Sequence, residues 1–352
     1  MMDDKRILSE VSALLDDLTK PKGSLGRLED YASKLAVIQG RVPPRVRRKA
    51  AFVLAGDHGV VSRGVSLYPK EVTAQMFANI MAGGAGINVL SRACGFDLFV
   101  VDAGVDADLP DYPSGGADGK PRYVPMKAVR GTKDFTVEPA FTENEFLQCL
   151  HNGQKLADLA VREGYDIVAL GDMGIGNTTS AAAVLAGYGF DPDLVVDRGT
   201  GIDDAALERK RALITEAVAA RGPYPTPESV GAAFAGPEIA TAAGVILGLK
   251  GKGVACMLDG FPITAGAVIA WKIDPNVTDY LFAGHQSRVK GHRPVLEALG
   301  LEPVVSLDMR LGEGTGAVIG GFIVELGARI AGEMSRFSEA AVSKASGEEK
   351  DF

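Results

Sequence analysis

The chain has few aromatic residues: 7% of 352, with a single tryptophan. Single-stranded nucleic acid needs aromatic faces on which bases stack, so that kind of platform is excluded. Positive charge is also short. Lys and Arg number 37 against 45 Asp and Glu, the net charge is −8, and no basic block occurs. Affinity for DNA or RNA rests on such a block, so no nucleic-acid partner is expected. No apolar stretch reaches the length of a membrane span, and the opening Met1-Met2-Asp3-Asp4-Lys5-Arg6 is too polar for a signal peptide. The cysteines are three, Cys94, Cys149 and Cys256, far apart in apolar contexts. They read as core thiols of a reducing, cytoplasmic compartment. There is no Gly-x-Ser-x-Gly elbow, so an acyl-transfer serine is not favoured.

Glycine, by contrast, is plentiful at 44 residues, and much of it follows apolar runs. Six such runs stand out: 50–55, 98–101, 167–170, 254–258, 280–283 and 304–307. Each ends in a small or acidic residue and a polar or glycine loop. Helical patterns at 71–90, 144–161, 203–219 and 232–249 separate most of them. Strands alternating with helices predict an α/β fold: a Rossmann-like, mostly parallel sheet of about six strands with helices on both faces. Ligands of such sheets bind beyond the carboxyl ends of the strands, so loops distant in sequence share one cleft. This large domain is expected to span 46–316. Residues 1–45 read as helices broken at Pro21-Lys22-Gly23, and 317–352 as one long helix with a solvated tail from 346. The two ends are expected to pack together as a small helical domain. The proline-rich stretch 110–125 reads as a surface excursion.

Two loops carry the chemistry. After the run 166–170 comes Gly171-Asp172-Met173-Gly174-Ile175-Gly176-Asn177-Thr178-Thr179, feeding an alanine-rich helix. A glycine loop entering a helix presents N–H groups and the positive dipole end to an anion. Thr178 and Thr179 either cap that helix or donate to phosphate oxygens. No Gly-Lys-Ser/Thr follows, so the expected ligand is a small phosphate and not a triphosphate. Asp172 reads either as a turn residue or as a direct participant. Lys210, one or two turns into the helix after Gly199-Thr200-Gly201, either reaches phosphate or is solvated. The second loop is Leu311-Gly312-Glu313-Gly314-Thr315-Gly316, one carboxylate among glycines. A carboxylate enclosed by apolar neighbours has a raised pKa and suits a general base, whereas a solvated turn needs no such frame. Asp57, His58, Asp259, His285 and Asp308 all fall at strand ends. A metal-dependent phosphohydrolase is the alternative such a set suggests. No HxH, HExxH or DxD spacing occurs among them, so no metal is expected. His151 and His292 read as surface or core histidines.

Taken together these motifs resemble the nicotinate-nucleotide:dimethylbenzimidazole phosphoribosyltransferase family of cobalamin nucleotide-loop assembly. The likeness runs almost end to end. It includes Lys22 to Glu29, Gly56-Asp57-His58-Gly59, Gly64-Val65-Ser66, Glu71 to Gln75, Gly171 to Thr179, Gly199 to Asp204, Asp259-Gly260-Phe261 and Arg310 to Gly316. The resemblance implies that nicotinate mononucleotide and a benzimidazole give an α-ribazole 5′-phosphate and nicotinate, with inversion at C1′ and no cofactor. By position it makes Glu313 the general base, with Asp172 beside it as a second catalytic carboxylate. Gly174, Ile175, Gly176, Asn177, Thr178, Thr179 and Lys210 fall at the phosphate, and Ser66, Gln75 and Leu311 at the base. It also implies a homodimer. Two departures stand out: the family often has glutamate where Asp172 stands, and an acidic residue where Val289 stands.

Overall fold

The computed structural model of the chain describes residues 2–112, 120–199 and 201–343. The expected tail at 346–352, the middle of the 110–125 excursion and Thr200 lie outside the described residues. Seven strands form one sheet: β1 (Lys49–Gly56), β2 (Asp97–Gly104), β3 (Arg122–Pro125), β4 (Ile167–Met173), β5 (Ala255–Leu258), β6 (Leu281–Gln286) and β7 (Pro303–Ser306). Their order is β3-β2-β1-β4-β5-β6-β7, and every pairing is parallel. Six of these are the apolar runs expected from the sequence. The seventh corrects the reading of 110–125. Arg122–Pro125 pairs with Phe99 to Asp102 as an edge strand, half-exposed and ending in proline, a residue that edges tolerate.

The helices are α1 (Met2–Asp17), α2 (Arg27–Gln39), α3 (Val72–Ala82), α4 (Gly86–Cys94), α5 (Glu143–Arg162), α6 (Asn177–Gly187), α7 (Pro192–Val195), α8 (Asp204–Arg221), α9 (Pro227–Phe234), α10 (Pro237–Leu249), α11 (Phe261–Ile273), α12 (His292–Ala298) and α13 (Thr315–Glu333). Two expected helices are each split. Gly83, left-handed at φ 88°, ends α3 before α4 begins, and the extended Ala235-Gly236 pair with Pro237 separates α9 from α10.

Burial on both faces explains why the strands read as unbroken apolar runs. In β1, Phe52 and Leu54 join the cluster under α5, α6, α10 and α11, whereas Ala51 and Val53 join the one under α3, α4 and α13. α13 spans two environments. Ala317, Val318 and Val324 pack on the sheet; Ala331 joins Ile7, Val11, Leu14, Leu18, Ala32 and Ala36 of α1, α2 and the residue after α1. By length and composition α13 is apolar enough to cross a membrane, which the sequence reading did not expect; most of it is buried inside the protein. Cys149 and Cys256 are core residues, and burial pushes the Cys149 thiol up to about 12. Cys94 is only half-buried, on the last turn of α4.

The strand order reverses between β1 and β4: from β1 the chain builds outward to β3, then returns to the other side of β1. A crevice opens at the carboxyl ends there, the position that open α/β sheets reserve for ligands.

Candidate active site

That crevice is a cleft of about 350 Å³. Its walls include Val65, Ser66 and Tyr68 beyond β1, Asp172 to Thr178 at and beyond the end of β4, and Gly260 to Pro262 beyond β5. His285, Ser287 and Val289 follow at and beyond the end of β6, with Arg310, Leu311 and Gly312 above.

The carboxylate loop is laid directly on the end of β4. A Cβ at Gly171 would lie 2.2 Å from Gly314 N, so only glycine allows the crossing. Glu313 N–H donates to Asp172 O at 3.2 Å. Gly312, Glu313 and Gly314 all have positive φ, at 82°, 63° and 89°. For glutamate that conformation costs about 1–3 kcal/mol, and such strain clusters at functional sites. The loop is held from below by Asp259, at the end of β5, whose carboxylate accepts from the N–H groups of Gly314, Gly316 and Ala317 at 3.0, 2.7 and 3.2 Å. One side chain therefore caps α13 and anchors the loop.

Glu313 is 4% exposed, and its Oε2 accepts from Ile87 N–H at 3.2 Å, in the first turn of α4. Burial raises its carboxyl above the usual range; the Ile87 N–H pulls the other way, and the Asp259 charge adds to the rise. Asp172 is also 4% exposed. Burial pushes its carboxyl well above the usual range, helped by Asp259, Glu238 and Glu313 and opposed by the hydrogen bond from Asn177. Its Oδ2 accepts from Asn177 Nδ2 at 2.5 Å, while Oδ1 is buried with no partner among the described residues.

The glycine loop enters α6 as expected, with Gly176 at φ 91° as its N-cap. Four of its N–H donors are already occupied: Ile175 by Thr73 Oγ1, Thr178 by Asn177 Oδ1, Asn177 by Gly174 O and Thr179 by Gly176 O. Lys210 is 1% exposed; its Nζ donates to Thr178 Oγ1 at 3.1 Å and to Asp197 O at 2.9 Å. Burial lowers its pKa to about 8, against a smaller upward pull from Asp197. The solvated alternative for Lys210 is thereby removed. Thr179 is fully buried behind the loop and does not line the cleft.

Ser66 and Leu311 line the cleft, and Leu311 is 60% exposed at its mouth. Gln75 is exposed on α3 and is not among the lining residues. Thr73 and Phe77 take the buried face of that helix, and Gln75, two residues from each, points more than half a turn away.

Of the strand-end set of aspartates and histidines, Asp259 and His285 stand 3.5 Å apart and the others disperse. Asp57 Oδ2 accepts from Asp106 N–H, and Asp308 is exposed. His58 lies beneath the glycine loop, 2.8 Å from Ser180 Oγ and 2.9 Å from Glu238 Oε1. Among the described residues no group of three metal-binding side chains converges. Four features in and around the cleft had not been singled out in the sequence: Asp259 as anchor, Ile87 N–H, the buried Glu238 behind His58, and the cleft wall at Tyr68. The available signals were the position of Asp259 at a strand end and its place in Asp259-Gly260-Phe261.

The phosphoribosyltransferase family pattern matches residues 2–342. The chain is 45% identical, over 343 residues, to the nicotinate-nucleotide–dimethylbenzimidazole phosphoribosyltransferase of Geobacter sulfurreducens, covering 97% of this chain and 95% of that one. It is 45% identical to the protein of that name from Thermus thermophilus, with 97% and 99% covered. The crystal structure of CobT from Thermus thermophilus superposes with a TM-score of 0.91 at 44% identity, covering 97% of this chain and all of that one. The chain belongs to this phosphoribosyltransferase family.

Proposed function

We propose that the protein transfers the phosphoribosyl group of nicotinate mononucleotide to 5,6-dimethylbenzimidazole or a related base. The products are an α-ribazole 5′-phosphate and nicotinate, with inversion at C1′. The observation that carries this reading is Glu313: a buried carboxylate with a raised pKa, held in a left-handed loop that crosses the strand bearing the phosphate loop. The curated names of the relatives support the substrates.

In the mechanism, a ring nitrogen of the base attacks C1′ from the face opposite nicotinate. The new N–C1′ bond forms as the bond to the pyridinium nitrogen breaks, and its electron pair returns to nicotinate as a neutral pyridine. No strong general acid is needed. The azole N–H proton passes to the Glu313 carboxylate. The turn of Gly174, Ile175 and Gly176, with Asn177 and Thr178 at the entry to α6, receives the phosphate, and Thr179 packs behind it. Lys210 fixes Thr178 and supplies positive charge. An incoming phosphate displaces the Asn177 side chain from Thr178 N–H, and Asp172, whose Oδ2 accepts from Asn177 Nδ2, retains it. Ser66 and Leu311 border the base. Orienting two substrates in this way is itself worth several kcal/mol.

The likeness supports a homodimer, and the three free cysteines support a cytoplasmic setting. The apolar cluster shared by α1, α2 and the end of α13 supports a small helical domain built from both ends of the chain. Mass spectrometry of products from nicotinate mononucleotide and a panel of benzimidazoles, purines and phenols tests the transfer. Ribosylated base and free nicotinate are expected; ribose 5-phosphate without any base adduct would replace transfer by hydrolysis.

A further inference from the structure

Two histidines stand near the β6 end of the cleft, and only one is committed. The Nδ1 of His292 accepts from Ser287 N–H at 2.8 Å, and its Nε2 is 2.9 Å from Thr264 Oγ1, whose hydroxyl donates to Gly260 O. These contacts assign its proton to Nε2, and burial holds it neutral, with a pKa of about 3. His285 differs. It is 2% exposed and lines the cleft, yet neither ring nitrogen has a hydrogen-bond partner among the described residues. Its Nε2 lies 3.5 Å from Asp259 Oδ1, an oxygen already accepting from Gly316 and Ala317. The ring is wedged in place: a Cβ at Gly316 would fall 2.0 Å from its Cδ2. A buried imidazole without partners is costly unless something completes its hydrogen bonds.

Its position says what that is. Ser66 and Tyr68 lie beyond β1, and Glu313 turns its carboxylate to Ile87 of α4, a helix that packs against β2, the neighbour of β1. β6 lies two strands beyond β4, roughly 10 Å away at the usual strand spacing. With the base entering on the β1 side and attack opposite the leaving group, the departing ring lies toward β5 and β6. Arg310 lines the same end of the cleft, where the carbonyl of its neighbour Met309 accepts from Arg288 N–H and Ser287 Oγ. We propose that His285 binds the carboxylate of the nicotinate leaving group, with Asp259 behind the ring, and so selects a nucleotide with an acidic pyridine over its carboxamide analogue.

This rests on the transferase reading, and its test is separable from that reading. Nicotinate mononucleotide and nicotinamide mononucleotide are titrated calorimetrically into the full chain without any base, so no turnover is required. The unaltered protein is expected to favour the carboxylate form by about 10- to 100-fold, the size of one charge-assisted hydrogen bond. His285→Ala should bring that ratio close to one by weakening the carboxylate form alone; His285→Gln, a neutral donor, should fall between. Each ratio is internal to one protein sample and does not depend on the fraction that is folded. Equal weakening of both nucleotides, or an unchanged ratio, overturns the assignment and makes His285 a ribose or structural contact. Loss of product formation by the unaltered protein in the turnover assay would instead remove the transferase reading.

Discussion

Gly171→Ala tests the junction on which the active-site geometry depends. The added Cβ would meet Gly314 N at 2.2 Å, Gly314 Cα at 2.3 Å and the Glu313 carbonyl carbon at 2.5 Å, all backbone atoms that no side-chain rotation can move aside. Carbon contacts relax only near 3.5 Å, so the loop must retreat by roughly 1 Å. It cannot do so freely: the Glu313 N–H is bonded to Asp172 O, and Gly314 N–H to Asp259. Misplacing a reacting group by about 1 Å can cost 100-fold in rate, and overpacking about 1–3 kcal/mol in stability. The expected outcome is a kcat about 100-fold lower, a lower urea midpoint, and a KM for the nucleotide within about threefold of the parent, because the phosphate loop lies beyond the crossing. Steady-state kinetics at a temperature where the variant is folded, together with urea titration, reads all three. Gly332→Ala is the control, since a Cβ there meets nothing within 4 Å. Parental kcat in a folded Gly171→Ala protein would show that the loop is not registered on β4 and refute the reasoning.

Three further outcomes are expected. Because burial raises the Glu313 carboxyl, the acid limb of kcat/KM should lie above the range of an ordinary carboxylate; Glu313→Gln should lose about 10²–10⁴ in rate, and near-parental turnover would remove Glu313 as base. Lys210, at about 8, loses its proton as pH rises through that value, so kcat/KM for the nucleotide should fall on an alkaline limb near pH 8 that is absent in Lys210→Met; an identical limb in that variant assigns it elsewhere. Leu311→Ala should change relative kcat/KM among bases of different size by about 5- to 100-fold, with little change for the nucleotide, since apolar contacts of one or two methylenes discriminate by about 1–3 kcal/mol; one common factor for all bases would mean that Leu311 only supports Glu313.

β1, β2 and β4 to β6 were legible because parallel strands buried on both faces must be apolar throughout, and β7, a half-exposed edge, showed itself only by its short apolar run. β3 was not, because a half-exposed edge of four residues ending in proline carries no such signature. Glycines hid the helix break at Gly83 within a pattern that otherwise continues. At the site, glycine spacing identified both loops. It did not reveal which way Glu313 faces, because the Ile87 N–H comes from 226 residues earlier in the chain. His285 looked like any histidine ending a strand. What distinguishes it is a lack of hydrogen-bond partners among the described residues, which becomes visible only when the neighbours are in place.

Helix α13 begins two residues after Glu313 and ends among the N-terminal helices. At 19 residues it is a stiff rod of about 28 Å. A tilt of about 4° about its midpoint would move each end by roughly 1 Å, the displacement worked out above for a substituted Gly171. The far end of the rod, under α1 and α2, is therefore a handle on the reacting atoms. A displacement there is passed along the rod to the loop that carries Glu313.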